Sequence, residues 1–332
     1  MTNPSSTSTV AAAPARRDRL DWKLCLATLA VIALLGVSLF TGVYTLDGHG
    51  EGSPDMFWIT RVPRTLALVL AGAAMAICGL VMQLLTQNRF VEPTTTGTTE
   101  WAGLGLLAVM IFFPTASLLG RMVGAIIAAF IGTTIFFAFL RRVSLRSSLI
   151  VPIVGIMLGA VVSSISTFFA LQTNMLQQLG IWFAGSFAPI LRGQYEVLWI
   201  VAIVLVAVFV LADRLTVAGL GEEIATNVGL NYNRMMLIGT SLVAVATGVV
   251  TVVVGNLPFL GLIVPNIVSM FRGDNLRSNL PWVFLLGIAT VTLCDIVSRT
   301  IIMPFEVPVS LILGVLGSIA FVLLLLRKRR YG

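Results

Sequence analysis

The sequence predicts an all-α membrane protein with about ten transmembrane helices per subunit and both termini cytoplasmic. Three observations carry that prediction. Hydrophobic residues make up 58% of the 332 positions and charged residues only 11%, whereas a soluble domain needs about 25% charged residues to cover its surface. Apolar runs recur from Leu24 to Leu326, each close to the roughly 20 residues that cross a bilayer as a helix. The basic residues gather in the short connections between those runs, as orientation signals do. A sequence pI near 10.0 therefore reflects topology, and no basic face for nucleic acid is expected.

The first 22 residues, rich in Ser, Thr, Ala and Pro, read as a disordered cytoplasmic tail, with a polytopic transmembrane domain occupying 23–332. Arg16, Arg17, Arg19 and Lys23 precede an apolar run too long for the core of a cleaved signal peptide, so 24–45 reads as a retained first span. Further spans follow over 64–86, 97–114, 117–140, 148–171, 195–213, 234–254, 259–271, 280–299 and 307–326. The eighth is short and contains Pro265, with Pro258 just before it, so a partly broken helix is expected there. A short helix over 175–183 is expected to re-enter the membrane or lie on it. Cys25, Cys78 and Cys294 lie singly inside spans, as small apolar residues and not as a disulfide or metal framework.

Alternating the spans from an inside N-terminus puts 16 of the 21 basic residues on the cytoplasmic side. Five remain outside: Arg61, Arg64, Arg121, Arg192 and Arg299. Interfacial snorkelling explains one such residue. A group on the disfavoured side fits an acidic docking partner better, since a guanidinium pairs bidentately with a carboxylate.

The energy source is missing from the chain. A proton- or sodium-driven transporter carries ionisable groups in mid-membrane. Here 147–191 holds no charge, and only Glu100 and Asp295 approach the interior of a span. Asp295 also stands four residues before Arg299, at the spacing of a local helical pair. A phosphate-binding loop needs a Gly-Lys pair, and the only lysines, Lys23 and Lys328, follow Trp22 and Arg327. The single histidine, His49, lies in a glycine-rich loop with no catalytic or metal-binding constellation around it. No catalytic, cofactor or metal site is expected, and the chain is not expected to be an enzyme.

The cytoplasmic connection over about 215–233 opens a short helix with Gly221, Glu222 and Glu223 and closes it near Gly229. Acidic residues in a first turn and a glycine at the end match a capped helix. Ile224 and Val228 would share one face, a suitable place for a soluble partner to push.

These segments resemble the FecCD-type permeases, membrane subunits of type II ABC importers for ferric siderophores, haem and cobalamin. The matching stretches are Arg61-Val-Pro-Arg-Thr65, Gly72-Ala-Ala through Gly79 and Gln83, Asn88 to Pro93, Gly221-Glu-Glu-Ile-Ala225, Gly261-Leu-Ile-Val-Pro-Asn266, and Glu306-Val-Pro-Val309 with Gly314 and Gly317. The resemblance implies a ten-helix subunit in a bacterial inner membrane, paired with a second permease as a homodimer or a paralogous heterodimer. Two cytoplasmic ATPase subunits, which bind ATP and magnesium, would dock beneath, and an extracytoplasmic substrate-binding protein would dock above.

Residue by residue, it implies binding-protein docking at Arg61, Arg64 and Arg299. It implies ATPase coupling through Gly221, Glu222, Glu223, Ile224, Ala225, Val228 and Gly229, and a cytoplasmic gate at Asn88, Phe90, Ser147 and Ser148. Two positions depart from the family wording. Many members have proline where this chain has Arg89, which removes a φ lock from the gate turn, and histidine where it has Asn266. The wording from Asn88 to Trp101 resembles a branch that carries ferric siderophores, catecholate types among them. A path lined by small polar residues such as Ser163, Ser164, Ser166 and Gln172 is expected. The alternatives are a cobalamin or haem importer permease, an ion-coupled secondary transporter, and a membrane scaffold that binds a partner without flux.

Overall fold

The computed structural model describes residues 22–41, 57–142, 150–273 and 275–331. His49, Ser147, Ser148 and the proposed tail except Trp22, which opens the first helix, lie outside them. Thirteen α-helices are present among the described residues, and no sheet forms, Ile302 and Phe305 making one isolated bridge.

In chain order the helices are α1 (Trp22–Phe40), α2 (Val62–Leu85, entered through a π-turn over Phe57–Arg61), α3 (Thr98–Phe112), α4 (Leu118–Leu140), α5 (Ile150–Gln172) and α6 (Leu176–Phe183). They continue as α7 (Trp199–Val210, preceded by a 3-10 turn), α8 (Ala212–Ala218), α9 (Glu222–Asn227), α10 (Tyr232–Val253), α11 (Leu260–Arg272), α12 (Leu276–Thr300) and α13 (Val309–Tyr331). Six of the segments, α1, π-turn plus α2, α4, α5, α10 and α12, are long and apolar enough to cross a membrane. The pair α7 and α8 makes a seventh if its 66° bend is one broken span, and α3, α11 and the apolar part of α13 are shorter apolar helices. Every apolar run read from the sequence thus carries helix.

Local chemistry explains the ends. Ser117 caps α4 by accepting from the Gly120 amide at 3.3 Å, and Asn231 and Asn275 cap α10 and α12 in the same way at 3.0 and 3.1 Å. Each satisfies an amide that the first turn leaves without an intrahelical partner. Pro63 stands at the start of α2, where a missing amide hydrogen costs nothing.

Helix α2 is the central pillar, buried from Leu70 to Gln83 without interruption, and α7, α10, α11 and α12 pack around it. With lipid as apolar as leucine, close backbone approach replaces the hydrophobic effect between such helices. A Cβ on Gly79 would stand 2.0 Å from the carbonyl oxygen of Gly261, and one on Gly261 would stand 2.8 Å from that of Met75. Glycine is therefore what lets α2 and α11 cross. On the far side, α3 and α4 pair as a hairpin against α10, with α5 against α3. The expected break in α11 is absent. Its helix continues through Pro265, and the irregular backbone lies before it, where Phe259 takes a left-handed φ of 63°.

Candidate functional site

The candidate residues gather at the two ends of the molecule and between them. At the end where α2 begins and α12 ends, Arg64 grips Glu306 bidentately at 2.9 and 2.8 Å and also reaches Asp295 at 2.7 Å. Asp295 is fully buried and is shared with Arg299. That second guanidinium donates to the Ser38 carbonyl at 3.1 Å, the Thr41 carbonyl at 2.8 Å and the Ser38 hydroxyl at 2.6 Å. Arg61 donates to the Leu39 carbonyl at 3.0 Å. The cluster thus joins α1, α2, α12 and the connection before α13. The i,i+4 pair expected between Asp295 and Arg299 is present, but it is one edge of a four-residue network. Arg64 and Arg299, expected to face outward, are 12% and 6% exposed at their side chains, because the buried Asp295 draws both in and the partly exposed Glu306 holds Arg64 as well. Arg61 stays partly exposed.

Between the two ends lies a feature that the sequence reading passed over. Glu92, in the connection between α2 and α3, is completely buried. Its Oε1 accepts from the Phe259 amide at 2.8 Å and from the Thr94 hydroxyl, so the carboxylate caps the start of α11, where the helix dipole favours negative charge. Burial lifts its pKa to about 7, against hydrogen bonds from Thr94 and from the amides of Phe259, Leu262 and Gly261. Beside it Thr96, Thr98 and Thr133 form a buried hydroxyl chain at 3.0 and 2.8 Å that carries the loop onto α4. Glu100 follows in the first turn of α3, with Oε2 buried and without a hydrogen-bond partner among the described residues. Five threonines between two glutamates, in a chain with so few charges, is the signal in the sequence that went unread.

At the other end of α2, Asn88 and Phe90 are both buried. The Asn88 Oδ1 accepts from the Phe90 amide at 2.9 Å, and the Asn266 Nδ2 donates to the Arg89 carbonyl at 2.8 Å. The turn that lacks proline is therefore held by side-chain hydrogen bonds, and the two positions that depart from the family wording are bonded to each other. Phe90 meets Phe321 of α13 edge-on at 5.8 Å. A cavity of about 240 Å3 lies beneath, between Gln83, Gln87, Asn266 and Asn279.

The short helix after α8 forms as expected. Gly221 precedes it at φ 104°, in the left-handed half of the map that glycine enters without steric cost. Gly229 closes it at φ 83°, with the Leu230 amide donating back to the Ala225 carbonyl at 2.9 Å. Ala225 is the anchor, fully buried, while Ile224 and Val228 are 51% and 68% exposed. Glu222 and Glu223 are exposed as well. On α5, Ser163, Ser164 and Gln172 face outward with a run of exposed apolar residues, whereas Ser166 is buried against its own helix.

Comparisons with known proteins show what the chain and its fold are similar to. The chain is 64% identical over 305 residues to the petrobactin import system permease protein FatD of Bacillus anthracis, covering 92% of this chain and 91% of that one. It is 41% identical to the petrobactin import system permease protein YclN of Bacillus subtilis over 93% and 99% of the two chains. It is 32% identical to the vitamin B12 import system permease protein BtuC of Escherichia coli over 95% and 98%. A metal-chelate type ABC transporter solved in an inward-facing conformation shares the fold, with a TM-score of 0.79 at 24% identity over 92% of this chain and 99% of that one. The model of the FecCD transport family matches residues 23–327. This multi-pass membrane protein belongs to the FecCD transport family.

Proposed function

We propose that the chain is the permease subunit of an ATP-driven importer of an iron(III)-siderophore of petrobactin's class, with catecholate binding as the finer expectation. The observation that carries this reading is the 64% identity to a petrobactin import permease across nearly the whole chain. The geometry supports it with α9, a short helix that buries Ala225 and offers Ile224 and Val228 to a partner. Ten crossings follow if the bent α7–α8 pair and the shorter α3, α11 and α13 complete the six long spans, which returns both termini to the cytoplasm.

Two such subunits, identical or paralogous, would enclose the path along the exposed face of α5. Two ATPase subunits carrying ATP and magnesium would engage α9, and a binding protein would deliver the chelate at the opposite end. Arg61 offers docking charge there, while Arg64 and Arg299 hold α1, α2 and α12 in the shape that is docked. ATP binding and binding-protein release would each favour one of two global states, which couples the two ends through the gate turn at Asn88 and Phe90.

The test is reconstitution of this permease, with its ATPase and binding protein, in proteoliposomes. Uptake of radioactive ferric petrobactin should require ATP, persist with an uncoupler present, and be absent for cobalamin. Uptake that stops with the uncoupler at constant ATP would instead establish ion coupling, and cobalamin flux would move the cargo to the class named for BtuC.

A further inference from the structure

The end of α2 leads into the gate turn and also seats the segment that opens α9. Gln87, just past that end, takes φ 49°, a left-handed backbone that is costly for a residue with a Cβ and free for glycine. Its amide donates to the Leu84 carbonyl at 3.1 Å, and the Asn88 amide donates to the Gln83 carbonyl at 2.9 Å. That pair of bonds is a common way to end a helix, with glycine the usual residue at the left-handed position. Here a glutamine holds the position, and its side chain reaches the coupling segment. A Cβ on Gly221 would stand 2.7 Å from the Gln87 Nε2, and one on Gly219 would stand 2.9 Å from a Leu84 methyl carbon. The two side chains thus rest on backbone, which cannot rotate away from a push as a side chain can.

Both sides of this contact are tied onward. The Gly221 carbonyl accepts from the Ala225 amide at 3.0 Å, so a displacement of α9 carries Gly221 with it. On the other side Gln87 is followed directly by Asn88, whose Oδ1 accepts from the Phe90 amide at 2.9 Å. The cavity of about 240 Å3 that Gln87 lines with Gln83, Asn266 and Asn279 leaves the turn room to shift. A second bond beside α9 joins Asn233, at the start of α10, to Arg141 at 2.9 Å, but it leads to the end of α4 and not to the gate. We propose that Gln87 is a positioning residue of the transport cycle, whose side chain passes the movement of α9 to the turn at Asn88 and Phe90. The inference rests on the proposed seat of the ATPase on α9, and packed side chains with two arrangements are the physical means of such coupling.

The experiment is hydrogen–deuterium exchange, read by mass spectrometry, on the full-length permease assembled with its ATPase, with and without ATP and vanadate. In the parent, nucleotide should change exchange both in the peptide that holds α9 and in the peptide that holds Asn88 and Phe90. Gln87→Ala should keep the first change and reduce the second at least about fivefold, the lower end of a typical coupling between sites. Gln87→Gly should reduce it equally without lowering the melting temperature, because φ 49° suits glycine. A side chain that served only to shape the turn would leave the response of that variant whole. Gln87→Met has the same reach and should keep the response.

Asn233→Ala is the control, since Asn233 is exposed and its bond runs to Arg141; it should leave the gate response intact. An undiminished gate response in Gln87→Ala or Gln87→Gly, a lost one in Gln87→Met, or an equal loss in Asn233→Ala would each overturn the role of Gln87. A parent that responds at α9 but not at the gate would overturn it too and leave the ATPase seat in place, whereas no response at α9 would remove the seat and the link together. None of these readouts involves cargo, so ferric siderophore uptake is judged separately.

Discussion

Asp295 is surrounded by two guanidiniums inside the protein, with Glu306 completing a neutral set of four charges. Removing one partner from a buried network leaves an uncompensated charge, at a cost of about 3–5 kcal/mol. Asp295→Ala should therefore lower the melting temperature of the purified protein far more than Glu306→Gln, whose partly exposed site lets water take over. Equal effects would mean that Asp295 is solvated. Arg64→Glu would bring a third carboxylate into the same cluster and should destabilise the fold itself, so the docking role is tested cleanly only at Arg61. Arg61→Glu should weaken binding-protein affinity, read by surface plasmon resonance, and leave basal ATP hydrolysis unchanged.

Glu92 makes a prediction in pH. Its carboxyl holds a proton up to about 7 when folded and only to about 4.3 when unfolded. The folded chain binds more protons between those values, so stability falls as pH rises through that window. Glu92→Gln keeps a neutral side chain at every pH. Its melting temperature should rise relative to the parent's between pH 5 and pH 8, and a constant gap would show that the group does not titrate there.

At the level of elements, helix crossings and helix ends respond to different changes. Gly79 packs directly on the backbone of Gly261, and a backbone oxygen cannot rotate away as a side chain can. Gly79→Ala should thus cost more than the 1–3 kcal/mol usual for overpacking, measured by thermal unfolding or by loss of folded protein at purification. On α9 the expectation reverses. Ile224→Asp with Val228→Asp alters exposed positions, so stability should stay within about 0.5 kcal/mol while ATP-dependent uptake is lost. Full uptake in that double variant would remove α9 from the coupling role.

The place and capping of α9 were legible in the sequence because glycine and acidic residues act within one turn. The bend between α7 and α8 was not, since the apolar run passes through Leu211 without a proline or glycine to mark it. The continuity of α11 was misread because Pro265 signals a break locally, whereas packing against α2 keeps the helix intact.

For the whole molecule, hydropathy and charge bias by themselves determined an all-helical membrane protein, the order of its apolar segments and the absence of a phosphate-binding motif. Each of these follows from composition or from spacing along the chain, because lipid requires helices to satisfy their own backbone and basic loops set orientation. Which charges are displayed and which are consumed was decided only by the tertiary structure. Arg64 and Arg299 look alike at the two ends of the sequence, but 231 residues separate Arg64 from the Asp295 that binds both. Likewise Glu92 becomes a buried cap only because Phe259, the residue that leads into α11, lies 167 residues after it and packs against it. Pairings over such distances depend on how helices pack, and helix packing leaves no period in the sequence of either partner.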